Sequence, residues 1–130
     1  MSSRERKVVV AERAPKAIGP YSVAIRAGNF VFASGTIGVD PATGEFAAGG
    51  VEGQTRQALK NLGEVLKAGG STLEQVVKTT VFMQDMAEFA LMNTVYAEFF
   101  PNESPARSTV EVAALPKAAA VEIEAIALVD

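Results

Sequence analysis

The chain contains no cysteine, no histidine and no tryptophan. Each absence removes a class of chemistry. Without cysteine there is no disulfide framework and no thiolate nucleophile. Without histidine there is no Ser/His/Asp relay, and with both residues missing there is no zinc or copper site of the usual kind. The carboxylates are dispersed rather than gathered into a calcium-type loop. No apolar run approaches the length that crosses a bilayer. A formal net charge of -3, with the basic residues scattered, argues against a surface built for phosphates. The opening MSSRERK is locally positive but short and mixed in sign, and no apolar stretch follows it, so no transit peptide is expected there. These features describe a soluble, cytoplasmic chain with neither a nucleic acid nor a membrane as partner. Any catalysis must come from carboxylates, Arg, Lys, Tyr, hydroxyls and backbone amides.

What is present is the makeup of a folded protein. Apolar residues form 48% of the chain and charged residues 21%, too apolar for disorder. At 130 residues there is chain for one core but not two, so a single domain over residues 1–130 is expected. Val8 to Ala11 is a short β-branched run. Val23 to Ala27 and Phe30 to Ser34 flank Gly28-Asn29, the signature of a hairpin. VDPATG at 39–44 is a turn.

From Val51 the period lengthens. Thr55, Ala58, Leu59, Leu62, Val65 and Leu66 recur every three or four residues, with Arg56, Lys60, Glu64 and Lys67 on the opposite face. Gly69-Gly70 ends this amphipathic helix with a left-handed cap, and STLE at 71–74 caps one further short turn. Val76 to Met83 reads as a buried central strand. Asp85 and Glu88 then open a second helix with Met86, Phe89, Asn93, Tyr96, Ala97 and Phe100 on one stripe, stopped by Pro101.

Two further strand-like runs, joined through Pro116 and Lys117, complete the order β-β-β-α-β-α-β-β. The fold class is therefore α+β, a mixed β-sheet with two helices packed on one face. The other face needs a cover. The apolar character of Val81, Val110, Val112 and Ile123 makes a second copy of the chain the expected one, and hence a homo-oligomer.

The last two runs carry the residues of most chemical interest, Arg107 near the start of one and Glu122 within the other. Taken as a hairpin turning near Pro116 to Ala118, they place Arg107 opposite Leu128 and about 20 Å from Glu122. The two are then no ion pair within one chain. An arginine at a strand end is ordinarily solvated, and a strand glutamate ordinarily faces water. Here small neighbours, Ser108 and Thr109, leave a groove around Arg107, and a guanidinium in such a groove has the shape of a carboxylate receptor. If Arg107 holds a ligand on which Glu122 acts, either the ligand spans the gap or the residues come from different chains, and the second is the more economical. Tyr21 in IGPYS, Ser34-Gly35 at a strand end and Asn93 on an apolar stripe are further candidates. Their ordinary readings are surface packing, a turn, and a bond to a backbone carbonyl.

The block PARSTVEVAALPKAAAVEIEAIAL at 105–128, with IGPYS, FASG, DPATGE, VKTTVFMQD and MNTVYAEFF in the same order, resembles the reactive-intermediate deaminase family, RidA type, also called YjgF-like, over nearly the whole chain. The resemblance implies a chorismate-mutase-like fold assembled as a homotrimer, with sites in the clefts between subunits. It implies hydrolysis of small 2-imino acids and their enamine tautomers, such as 2-iminobutanoate and 2-iminopropanoate, to 2-oxo acids and ammonia, with no cofactor and no metal. Carried over by position, Arg107 clamps the substrate carboxylate with backbone amides of Gly35 and Thr109. Glu122 serves the attacking water or the leaving nitrogen, and Tyr21, Ser34 and Asn93 line the pocket. Val23, Thr36, Thr109 and Ala114 depart from residues frequent in the family and bear on substrate range. The competing reading is a non-catalytic module that holds small carboxylates, or acts as a chaperone, through the same intersubunit cleft.

Overall fold

The computed structural model describes residues 5–129. Its six strands are β1 (Arg6–Val9), β2 (Ala24–Ala27), β3 (Phe30–Ile37), β4 (Val76–Met83), β5 (Ala106–Glu111) and β6 (Val121–Leu128), with helices α1 (Gly50–Ala68) and α2 (Phe89–Phe99). The element order and the α+β class are as expected. The first strand lies two residues earlier than its β-branched run suggests, and β3 continues three residues past Ser34. The hairpin of β2 and β3 turns at Gly28, whose φ of 57° is open to glycine at little cost. Asp85 accepts a hydrogen bond from the Ala87 amide at 2.9 Å, capping a 3-10 turn over Met86–Glu88 that leads into α2. Of that helix's expected apolar stripe, Met86 and Ala97 are exposed, and Met86 lies in the turn rather than in α2.

The strands lie in the order β1-β2-β3-β6-β4-β5. This corrects the expected terminal hairpin, because β5 and β6 are not neighbours. β4 lies between them, parallel to β5 and antiparallel to β6. A parallel pair needs a crossover, and α2 supplies it between β4 and β5. The segment after β5 then arches over the end of β4, where the Val112 amide donates to the Met83 carbonyl and the Gln84 amide to the Ala120 carbonyl. A 3-10 turn at Pro116–Ala118 makes the reversal, with Lys117 and Ala118 both at positive φ. Two flanking strands of one central strand look like a hairpin in sequence, since nothing in either strand reports what lies between them.

The core lies between one sheet face and the helices. Leu59, Leu62 and Leu66 of α1 and Met92 of α2 are fully buried with Val31, Val81, Met83, Val121 and Ile123 of the sheet. Val81 and Ile123, expected on the uncovered face, thus point to the helices. Val112 lies half-buried just beyond β5. The uncovered face instead carries Phe30, Phe32, Val110 and Leu128, each well exposed, with Phe82 and Ile126 between them. Among the described residues no helix is long and apolar enough to cross a membrane.

Candidate functional site

Alternation along β6 puts Val121, Ile123, Ala125 and Ala127 into the core and aims Glu122 the other way. Glu122 lines a cavity of about 840 Å³ together with Tyr21, Val23, Ser34, Gly35 and Thr36. A register shift in the pairing of β3 with β6, between Ala33 and Thr36, makes room there. The Glu122 carboxylate packs directly on Gly35, where a β-carbon would lie 2.6 Å from its Cδ and 2.7 Å from its Oε2. Only glycine admits the carboxylate at that distance. The Ser34 hydroxyl donates to the Ser22 carbonyl at 2.6 Å, fixing its orientation at the cavity wall. The Tyr21 hydroxyl accepts from the Ile18 amide at 3.3 Å, and its ring is half-exposed at the rim. Asn61, buried on α1, donates to the carbonyls of Ile37 and Val39 and so anchors the end of β3 that carries this wall.

Burial raises the pKa of Glu122 above the ordinary carboxylate value, and the negative charge of Glu124 raises it further. Desolvation and a like charge act in the same direction, since both penalise the ionised form. A carboxyl tuned upward in a largely apolar cavity can exchange protons closer to neutral pH than a solvated glutamate can.

The other expected residues form a second group. Arg107 on β5 pairs in register with Thr79 of β4, and in a parallel pair their side chains share a face. Thr79 is buried toward the helices, so Arg107 reaches toward α2. There its guanidinium donates from Nη1 to Oδ1 of Asn93 at 2.7 Å and lies over the ring of Tyr96, 4.7 Å from its centroid, and near that of Phe89, 5.5 Å away. The partner of Asn93 is thus a guanidinium and not a backbone carbonyl. Thr109, two residues further on the same face, has a buried hydroxyl oxygen without a hydrogen-bond partner among the described residues. No carboxylate among the described residues forms an ion pair with Arg107. One of its donors serves Asn93, which leaves others for an incoming anion.

The structure therefore gathers Tyr21, Ser34, Gly35 and Glu122 on one side of the sheet and Asn93, Arg107 and Thr109 on the other. Glu122 pairs with Phe82, three residues along β4 from the partner of Arg107, and lies two strands away. Strand geometry makes that about 14 Å, with the side chains on opposite faces. Arg107 and Glu122 thus do not pair within one chain, as expected, but they are separated by the intervening strand β4 and not by the length of a hairpin. Phe89 and Tyr96 were missed as functional residues. Their spacing from Asn93 on one helical stripe was visible, but apolar stripes usually signal packing. Among the described residues no cluster of three or more acidic side chains could hold a metal ion.

Residues 11–129 match the family model described as Endoribonuclease L-PSP. The chloroplastic reactive intermediate deaminase A of Arabidopsis thaliana is 55% identical over 126 residues, covering 97% of this chain and 67% of that protein. The 2-iminobutanoate/2-iminopropanoate deaminase of Mus musculus is 49% identical over 128 residues, covering 98% of this chain and 95% of the relative. Among solved structures, TdcF of E. coli with bound serine superposes with a TM-score of 0.90 at 43% identity, covering 95% of this chain and 99% of that one.

Proposed function

The chain belongs to the Endoribonuclease L-PSP family, and from that membership we propose that it is a deaminase hydrolysing 2-iminobutanoate, 2-iminopropanoate and related small 2-imino acids to 2-oxo acids and ammonia. The observation that carries this reading is the presence of both an arginine without an acidic partner among the described residues and a desolvated glutamate, each held in a prepared setting. Together they match the two demands of the substrate, a carboxylate to be held and a C=N carbon to be hydrated.

In the mechanism, Arg107 receives both carboxylate oxygens through its free N–H groups, assisted by the backbone amides of Gly35 and Thr109. Glu122 accepts a proton from a water molecule as the water oxygen bonds to the imine carbon, giving a carbinolamine. The proton passes to the nitrogen, the carbinolamine hydroxyl gives its own proton to Glu122 as the carbonyl forms and the C–N bond breaks, and that proton departs with the ammonia as ammonium, leaving the 2-oxo acid. One water is consumed and Glu122 ends in its starting state. A protonated imine is already electrophilic, so positioning supplies most of the acceleration. Tyr21, Ser34 and Asn93 line and support the pocket.

A small imino acid cannot bridge about 14 Å and two faces of a sheet. The site is therefore completed between protomers, Arg107 of one facing Glu122 of the next. The apolar face carrying Phe30, Phe32, Val110 and Leu128 gives those protomers a surface on which to meet, in a homotrimer as the resemblance implies. A threonine dehydratase generating 2-iminobutanoate tests the activity: 2-oxobutanoate appears faster with the wild type than without it, and Arg107→Ala abolishes the gain. No acceleration by the wild type, or equal acceleration by Arg107→Ala, contradicts the reading and favours a module that only binds carboxylates.

A further inference from the structure

The guanidinium of Arg107 lies in a closed circuit of contacts that no ligand is needed to form. Its backbone is paired with Thr79. The hydroxyls of Thr79 and Tyr96 are hydrogen-bonded at 2.7 Å, and the ring of Tyr96 lies 4.7 Å from the guanidinium carbon. Phe89 adds a second ring at 5.5 Å, and Asn93 fixes one nitrogen at 2.7 Å. Phe89, Asn93 and Tyr96 stand four and three residues apart, which places all three on one face of α2.

We propose that Tyr96 and Phe89 are positioning residues for the carboxylate site, holding the guanidinium plane of Arg107 in its receiving orientation before substrate arrives. A free arginine must give up rotamer freedom to make a two-pronged contact, and that cost is charged against affinity. Here the ring contacts and the Asn93 bond have ordered the side chain in advance. The Thr79 bond in turn prevents Tyr96 from following its own rotamers, so β4, α2 and β5 jointly set the direction of one fork. Tyr96 is almost fully buried, and burial raises the pKa of its phenol, so the ring beneath the cation stays neutral and attracts it through its π face. This inference rests on Arg107 as the carboxylate clamp.

The test uses the full-length assembled protein, calorimetric titration with 2-oxobutanoate, and steady-state kinetics on 2-iminobutanoate. Tyr96→Leu weakens 2-oxobutanoate binding and raises KM by about tenfold, the loss of one partly desolvated cation–π contact, while kcat changes far less. Tyr96→Phe, which keeps the ring, restores most of the affinity. In an Arg107→Lys background the Tyr96→Leu effect shrinks, because a flexible ammonium has no plane to orient. Unchanged affinity in a folded Tyr96→Leu protein overturns the proposal, as does a fall confined to kcat. Should Tyr96→Leu fail to assemble, the partly buried Phe89→Leu decides in the same way, with weaker binding expected and unchanged binding contradictory. If Arg107→Ala itself binds 2-oxobutanoate as the wild type does, the clamp reading fails, and this proposal with it.

Discussion

Replacing Gly35 with alanine separates the position of the Glu122 carboxylate from the stability of the fold. The added β-carbon would lie 2.6 Å from Cδ, 2.7 Å from Oε2 and 2.9 Å from Cγ of Glu122. Carbon atoms in comfortable contact sit at roughly 3.5–4.0 Å, so the carboxylate must retreat by about 1 Å. It can do so cheaply, because the obstructing atoms belong to the end of a flexible and only partly buried side chain. Gly35 is not in the left-handed region, so alanine brings no backbone strain there. Its smaller unfolded-state entropy offsets part of the steric cost. Stability should therefore change by no more than about 1 kcal/mol, a shift of a few degrees in Tm. A misplacement of about 1 Å in a catalytic group costs on the order of 100-fold in rate, close to 3 kcal/mol. The assay pairs thermal denaturation with 2-oxobutanoate release from enzymatically generated 2-iminobutanoate. Wild-type turnover in Gly35→Ala would refute the reasoning, and so would a collapse in Tm comparable with a core truncation. Adding Glu122→Gln to Gly35→Ala should cost little more, since both remove the same carboxylate from its place.

Other predictions concern charge and assembly. Because the ionised form of Glu122 is the base, activity should fall as pH drops through its raised pKa. Glu124→Gln removes the neighbouring charge and should move that acid limb to lower pH; an unmoved limb contradicts the coupling. Linkage carries the opposite sign. The folded state holds this proton more tightly than the unfolded chain, so the Glu122 contribution to stability is full below the ordinary value of 4.5 and is lost as pH rises through the raised one. Glu122→Gln should remove that dependence, which pH-resolved thermal melts would detect. Phe32→Glu places a charge at the centre of the uncovered sheet face and should lower the sedimentation mass and abolish turnover together; a full-sized, active variant would put the interface elsewhere.

Much of the architecture was legible in the sequence because it is governed by local patterns. The period of Leu59, Leu62 and Leu66 fixed α1, the β-branched run of 76–83 fixed β4, and the Gly28-Asn29 turn fixed the first hairpin. Strand neighbours were not legible, because pairing depends on chain segments distant in sequence. The order β3-β6-β4-β5 follows from the crossover through α2 and from the arch over Met83 and Gln84, and neither leaves a trace inside β5 or β6. The same gap misassigned Val81 and Ile123 to the open face, since a central strand is apolar on both sides. At the site, Arg107 and Glu122 stood out as ionisable groups in small-residue strands. The cradle formed by Phe89 and Tyr96 did not, because an aromatic ring that packs and one that supports a cation occupy identical helical positions.

The central claim is that each site draws Arg107 from one protomer and Glu122 from another. Arg107→Ala and Glu122→Gln, each inactive alone, can be unfolded together and reassembled as mixed oligomers. A site that takes its arginine from a Glu122→Gln chain and its glutamate from an Arg107→Ala chain is intact, and random mixing at equal amounts makes about a quarter of the sites so. The mixture should recover about that fraction of wild-type turnover, while each variant treated alone recovers none. A reassembled mixture as inactive as its components would place both residues of a site in one chain and contradict the account.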